Sequence, residues 1–381
     1  MKVFISKTDN YDYDKEKLYH LIRERLDNVF GENYFQDKKR VLIKPNLLMN
    51  AEPHEAITTH PNFILALAHA LKDKGTKVFL ADNPGGFTSV TSVSEIYTTL
   101  GLDKFPETLT LLSNDKPPYA KNQIPFSWWT KGFDAVINLP KLKTHDLMLI
   151  TAAVKNTYGF VQGMKKSSLH KDFPKPDDFA RILVDIFKMF KPQINILDAI
   201  VSLEGEGPAK KGTPKKRGLI VFSDSAWALD WVLCKLIKID PEKIPYIRLG
   251  LTQHLFDPSQ IQIEPEDWQK FKINDFIFAP PTILATIPRP VLKLAGTLLS
   301  LKPVINTSVC KICKKCIETC PVAAIKINQK KQVEIDYSRC IKCLCCREVC
   351  PYAAVDVEYS LLYKLLKSIL GAKPKTKETL S

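Results

Sequence analysis

Apolar residues recur at helical spacing between Tyr13 and Phe30, where Leu18, Ile22, Leu26 and Val29 stand among Lys, Arg and Glu. That period predicts an amphipathic helix. Short apolar runs then alternate with such stretches. Arg40–Lys44, Thr76–Ala81, Phe133–Leu139, Ile194–Leu197 and Gly218–Phe222 read as buried strands. Helices are predicted over Phe63–Lys74, with Gly75 as the residue that ends it, over Thr91–Leu100 before Gly101, and near 178–190 and 225–237. Strands alternating with helical periods predict an α/β domain whose mostly parallel sheet is flanked by helices. Ligands of such sheets collect beyond the carboxyl ends of the strands. Three polar loops, 44–46, 82–86 and 140–145, each follow a strand at once, and their convergence is the first functional expectation.

A chain of 381 residues exceeds what one ordinary core supports, so two domains are expected. The apolar, proline-punctuated stretch 279–304 separates an α/β ligand-binding domain over 1–278 from a small α+β, cysteine-rich domain over 305–358. That connector packs on both domains or offers a surface to a partner or membrane. Beyond it, 359–381 is a basic tail in which Leu361, Leu362, Leu365, Leu366, Ile369 and Leu370 lie beside Lys364 and Lys367. An amphipathic basic helix of this kind docks on its own protein or rests on a membrane surface. No stretch reaches the ~20 uninterrupted apolar residues of a spanning helix, and the charged N-terminus lacks an apolar leader core. A cytoplasmic location is expected. Hydrophobic content of 45% with 25% charged residues is ordinary globular composition.

The cysteines change the picture most. Cys310, Cys313, Cys316 and Cys320-Pro321 form one run, and Cys340, Cys343, Cys346 and Cys350-Pro351 another. Both have the spacing C-x2-C-x2-C-x3-C-P, a signature of iron–sulfur ligation. Short steps set three thiolates round one face of a cluster, and the proline turns the chain away after the fourth. Four-cysteine zinc sites use two pairs separated by a longer loop, and disulfides need an oxidising compartment; both fit less well. The stretch 305–358 resembles a two-cluster bacterial ferredoxin domain. In that arrangement the fourth cysteine of each run crosses to the other cluster. Cys310, Cys313, Cys316 and Cys350 then hold one [4Fe–4S] cluster, and Cys340, Cys343, Cys346 and Cys320 the other. Pro321-Val-Ala-Ala-Ile-Lys-Ile echoes Pro351-Tyr-Ala-Ala-Val-Asp-Val, so pseudo-two-fold symmetry with a hairpin strand per repeat is expected. Cys345 falls outside the pattern as a spare thiol near a cluster, and Cys234 reads as core packing. Iron-loaded thiolates also point to a reducing, oxygen-poor setting.

The net charge is +14, with nine Lys or Arg against six Asp or Glu in 305–358 and five Lys against one Glu in 359–381. Two clusters with eight thiolates bring about −4, so the small domain is near neutral. The first 304 residues keep a basic excess that would attract an anionic ligand. No helix-turn-helix, finger or aromatic-and-basic RNA-binding pattern is present, which argues against nucleic acid.

That excess has a focus. Lys141-Leu-Lys143-Thr-His145 is followed by Lys155-Asn156-Thr-Tyr158-Gly159, then by Gly163-Met-Lys165-Lys166 and His170. With Lys44-Pro-Asn46, Asp82-Asn83-Pro84-Gly85-Gly86 and Leu203-Glu204-Gly205-Glu206-Gly207-Pro208, this pattern resembles the domain of unknown function 362 family over about 38–240. Many members of that family carry a ferredoxin module at the C-terminus, as here. The resemblance implies an architecture and a site, not a substrate. From the residues themselves, Lys44, Asn46, Asp82, Asn83, Gly85, Gly86, Lys141, Lys155, Asn156 and Gly159 are candidate substrate-binding groups. Lysines suit a carboxylate, phosphate or enolate oxygen, and glycines allow close backbone approach. Lys143 and His145 are candidate catalytic groups, His145 as a proton donor near neutral pH. Glu204, Glu206 and Asp82 are candidate bases or counter-charges. The bland alternative is a solvated basic face. A metal held by His145 and His170 lacks a carboxylate at ligand spacing, and Gly85-Gly86 lacks the G-x-G-x-x-G of a nicotinamide site.

Together these features point to an iron–sulfur electron-transfer protein. Two [4Fe–4S] clusters would pass low-potential electrons, one at a time, to an anionic small molecule or a redox partner protein at the α/β domain. Its enzymatic form is a reductase. The alternative is a ferredoxin-like shuttle or docking protein whose α/β domain binds another protein. A third reading makes the clusters structural in a non-redox enzyme.

Overall fold

The structure, a computed structural model, describes residues 1–8, 12–85, 90–280 and 301–369. The strands run in chain order β1 (Lys2–Lys7), β2 (Arg40–Lys44), β3 (Lys77–Leu80), β4 (Thr110–Leu111), a separate hairpin of β5 (Tyr119–Lys121) and β6 (Ile124–Phe126), then β7 (Ala135–Asn138), β8 (Lys141–His145), β9 (Leu149–Thr151), β10 (Ile194–Gly205), β11 (Gly212–Ser223) and β12 (Gln262–Glu264). Ten of them form one sheet with the path β12-β1-β11-β10-β7-β2-β3-β4, and β8 pairs with β10 and β9 off that path. From β10 to β4 every neighbour is parallel; β11 is antiparallel to both β10 and β1. The mostly parallel α/β sheet expected from the apolar runs is present.

Alternating side chains along each strand enter two different cores, as the pleat requires. Val41, Ile43, Val78, Leu80, Ile137 and Ile196 pack with the helices Lys15–Phe30 and Pro61–Asp73. Leu42, Phe79, Leu197 and Val221 pack with Pro176–Phe190 and Ala226–Leu236. Asp14 caps the first helix by accepting the Lys17 N–H, which starts it two residues later than its apolar period suggests.

The largest departure is at 140–145. A polar loop was expected there, and the structure has Pro140 followed by the fully buried strand β8. Lys141, Lys143 and His145 alternate with Leu142 and Thr144, which is strand period. Apolar runs do not reveal this strand because its lysines are buried against polar partners. The three-residue β9 and the terminal β1 also lie outside the strands read from the chain. The runs 194–197 and 218–222 are only part of β10 and β11; β10 continues past the buried Asp198 through Ala199, Ile200 and Leu203, and β11 begins with the polar stretch 212–217.

In the small domain β13 (Leu301–Ile305) pairs with β16 (Val355–Tyr359), and β14 (Ile325–Ile327) with β15 (Val333–Ile335). Each run after Ala-Ala is a strand, as the repeat suggests. The second pairs with the end of the expected connector 279–304, so 301–304 belong to the small domain. Residues 281–300 of that connector, and 370–381 of the tail, lie outside the described residues. The tail helix Leu361–Ile369 seats its buried Tyr363 against its own chain, with the hydroxyl donating to the Pro280 carbonyl. No helix among the described residues is long and apolar enough to cross a membrane.

Candidate functional site between the two domains

The eight run cysteines line two cavities. Cys310, Cys313, Cys316 and Cys350 face one; Cys320, Cys340, Cys343 and Cys346 face the other. Each cavity therefore takes three cysteines from one run and the fourth from its neighbour. The short helices Lys315–Thr319 and Cys345–Glu348 lie side by side, so the end of each delivers its cysteine to the opposite loop. Left-handed residues recur at matching places in the two repeats, Ile312 and Lys342, Lys314 and Leu344, Ala323 and Ala353. Such turns aim successive N–H groups at an anion. The N–H of Ala324 donates to Cys320 Sγ at 3.2 Å, that of Ala354 to Cys350 Sγ at 3.3 Å, and that of Lys342 to Cys340 Sγ at 3.4 Å. Four sulfurs around a walled space, with N–H donors on them, fit a [4Fe–4S] cubane.

A further cavity, of about 710 Å³ counting its open mouth, lies where the domains meet. Parallel β7, β2 and β3 are neighbours in the sheet, so the residues after them arrive together. Lys44 Nζ donates to Asp82 Oδ1 at 2.7 Å and to the Pro45 carbonyl at 2.8 Å. Asp82 Oδ2 accepts the Leu47 N–H at 2.7 Å, and Oδ1 the Asn83 N–H at 2.8 Å. Asn156 Oδ1 accepts from Asn46 Nδ2 at 2.9 Å, and Asn46 Oδ1 accepts from Lys143 Nζ at 2.6 Å. Asn83 donates to the Gly159 carbonyl at 2.7 Å. A Cβ at Gly159 would overlap the Lys44 ammonium and the Asp82 carboxylate, so this close approach admits only glycine. Gly85 lines the cavity as well, while Gly86 lies outside the described residues.

The cavity is rich in lysines, most of them outside any direct ion pair among the described residues. Among the described residues, Lys44 is its only lysine in an ion pair. Burial pushes Lys143 well below the ordinary lysine range, and nearby Lys155 adds to this. Lys166, missed among the sequence candidates, donates to the carbonyls of Asn83 and Pro84, and burial brings it down to about 7. Half-buried Lys155 is brought down to about 8, again by burial. Its ammonium has no hydrogen-bond partner among the described residues. Thr151 Oγ1 and His170 Nδ1 line the same space, buried and unpartnered among the described residues.

His145 differs from expectation. Its Nδ1 accepts the N–H groups of Leu147 and Met148 at 3.1 and 3.2 Å, which leaves the proton on Nε2, 3.2 Å from Glu348 Oε1. Burial, then Lys155, pushes its pKa down to about 4. At neutral pH it is an uncharged imidazole that orients Glu348, not the imidazolium donor expected from its type. Burial works against the Glu348 carboxylate, yet His145 and Lys155 hold it down at about 2. Lys141 does not line the cavity. Its ammonium sits between the Tyr13 hydroxyl at 2.6 Å and Asp198 Oδ2 at 3.0 Å. Glu204 is clamped by Arg217 at 2.6 and 2.7 Å, Glu206 pairs with Arg347, and Asp82 takes the part of counter-charge, to Lys44.

The small domain closes the cavity with Thr319, Cys345, Glu348 and Val349. Beside Glu348, Arg347 donates to Asp146 Oδ2 at 2.6 Å and to Glu206 Oε2 at 3.1 Å. The consecutive Arg347-Glu348 thus lock onto the consecutive Asp146 and His145. Nothing local in either segment signals this pairing.

Asp230 positions the site from behind. Its two carboxylate oxygens accept the N–H groups of Ala153 and Val154 at 2.7 and 3.0 Å, holding the short helix Ala153–Asn156 that carries Lys155 and Asn156. Burial pushes Asp230 up to about 7, against about 3.9 in an unfolded chain. The folded protein then retains a proton that the unfolded chain releases. This contribution to stability is complete below about pH 4 and lost as pH rises through about 7. Asp230→Asn is expected to lower stability throughout and to flatten its slope across that window, as read by urea unfolding at a series of pH values.

Fold and site define a class: an α/β domain whose strand ends build a lysine-rich cavity, closed by a domain of iron–sulfur type. Residues 41–235 match the family described as Domain of unknown function (DUF362), and 302–351 match the 4Fe-4S dicluster domain. The chain belongs to the DUF362 family. A thylakoid-associated protein of Synechocystis sp. is 33% identical over 258 residues, covering 65% of this chain and 79% of its own. Among solved structures, the lactate racemase apoprotein from Thermoanaerobacterium thermosaccharolyticum is similar at a TM-score of 0.33 and 14% identity over 49% of each chain. A Thermotoga maritima protein reaches 0.32 and 13% over 52% of this chain and 53% of its own. The chain spans about half the length of these two structures.

Proposed function

We propose that this protein is a reductase-type module in which two [4Fe–4S] clusters, held by the crossed cysteine sets, serve an anionic organic ligand in the interdomain cavity. The observation that carries this reading is a shared wall. Cys345 lines both the interdomain cavity and the cavity of Cys320, Cys340, Cys343 and Cys346. The clusters supply single, low-potential electrons. The chain's own residues do the rest. Lys155 has all three ammonium hydrogens available for an acid group. Lys143 and Lys166 each donate to two neighbours, and in their protonated forms each has a third hydrogen for the ligand, whose negative charge favours that form. Near neutral pH Lys166 can hold or release a proton, the role expected of His145. The buried walls lower the local dielectric and strengthen each of these contacts.

Lys155→Met is expected to leave fold and iron content unchanged and to weaken ligand retention by about 10- to 100-fold, the worth of a lost hydrogen bond to a charged group. Protein purified without air, then denatured and analysed by mass spectrometry, should release a small organic anion from the wild type and far less from the variant. If both are empty, and electron exchange with carriers is unaffected by Lys155→Met, the protein is a shuttle and the reductase reading falls.

A further inference from the structure

We propose that the rim around Cys313 is the docking face for an acidic one-electron carrier protein, so that electrons enter at the Cys310, Cys313, Cys316 and Cys350 set and leave toward the interdomain cavity. This rests on the reading that both cysteine sets hold clusters. The two sets are not equivalent in their surroundings. Around the second, Leu344, Cys345 and Cys346 are buried, and Cys345 faces the interdomain cavity. Around the first, Cys313 is exposed, and Lys311, Lys314 and Tyr352 line the cavity mouth.

Comparison of the repeats sharpens the contrast. Lys311, Lys314 and Lys315 of the first loop stand where the second has Ile341, Leu344 and Cys345. In the second loop Leu344 and Cys345 are buried by their own protein, and its exposed lysine is Lys342, opposite Ile312 in the repeat. In the first loop Lys311, Lys314 and Lys315 are exposed. Among those lysines Val309 and Ile312 are each 39% exposed and Tyr352 45%. Exposed apolar residues flanked by exposed charges suit a transient interface. The sign of the rim selects an acidic partner and speeds its encounter. Glu318 is the acidic residue nearest in sequence to these lysines. In each docking event the reduced carrier loses one electron and the cluster of the first set gains it. No bond forms or breaks, and no proton moves.

The test uses the full-length, iron-loaded protein mixed without air with a reduced acidic ferredoxin or flavodoxin, and follows cluster bleaching by stopped flow. The rate should fall at least tenfold between low and 0.5 M salt, about the contrast expected when exposed charges are screened. Combining Lys311→Glu, Lys314→Glu and Lys315→Glu should slow it at least tenfold at low salt, with iron content and dithionite bleaching unchanged. The corresponding Lys→Gln set should slow it less; it also serves if charge reversal disturbs assembly. Lys330→Glu with Lys331→Glu should change nothing. Carbodiimide cross-links to the carrier should map to Lys311, Lys314 or Lys315. Wild-type rates in both lysine sets, cross-links elsewhere, or binding of anionic lipid vesicles through these lysines with unchanged carrier rates would each overturn the proposal. Wild-type protein that lacks iron or fails to bleach with dithionite overturns the cluster reading itself, a result distinct from the others.

Discussion

Asp82→Ala is expected to destabilise the protein by about 3–5 kcal/mol, the range seen when one partner of a buried ion pair is removed. The side chains of Lys44 and Asp82 are 1% and 4% exposed, so Lys44 would keep a buried charge without its counter-ion. Burial already pulls Lys44 down, with Asp82 opposing. Without the carboxylate the amine becomes easier to neutralise. The N–H groups of Leu47 and Asn83 lose their acceptor in the same step, and each buried orphan adds to the cost. Adding Lys44→Met should recover part of the loss by removing the stranded charge, leaving the two orphaned N–H groups. Urea unfolding of the single and double variants measures both. A single variant within about 1 kcal/mol of wild type would contradict the dry pairing that underlies the cavity wall.

The second large effect concerns metal content. Cys320→Ala and Cys343→Ala are expected to behave alike, because both cysteines line one cavity. Cys316→Ala and Cys350→Ala should form the other matching pair. Within each pair iron should fall from about eight to about four atoms per chain, and the remaining cluster should give the same paramagnetic resonance spectrum. If Cys320→Ala instead matched Cys316→Ala, its neighbour in the same run, the crossed assignment would be wrong.

Much of the architecture was legible because its signals are local. The strand Arg40–Lys44 has the bounds its apolar run predicts, and the helices fall within a few residues of their apolar periods. Where polar residues form strands, as in β8, the hydrophobic pattern is silent. The alternation of Lys141, Lys143 and His145 was visible, but only burial against polar partners makes it a strand. Lys166 was legible as a residue of the right pattern, though nothing in its neighbourhood indicates that the carbonyls of Asn83 and Pro84 would receive it.

The spacing of the cysteines and their repetition determined the iron–sulfur character of the small domain, since three of four ligands lie on one tight loop and the fourth follows from the repeat. The period of apolar residues likewise determined an α/β sheet with polar loops at its strand ends. Tertiary structure alone decided which of those polar groups belong to the site. Lys141 is diverted to Asp198, 57 residues away, and the small domain's Arg347 reaches back 201 residues to Asp146. It also decided charge: the same lysine or histidine titrates differently in water and in a buried site, and only the assembled fold establishes how far each is buried.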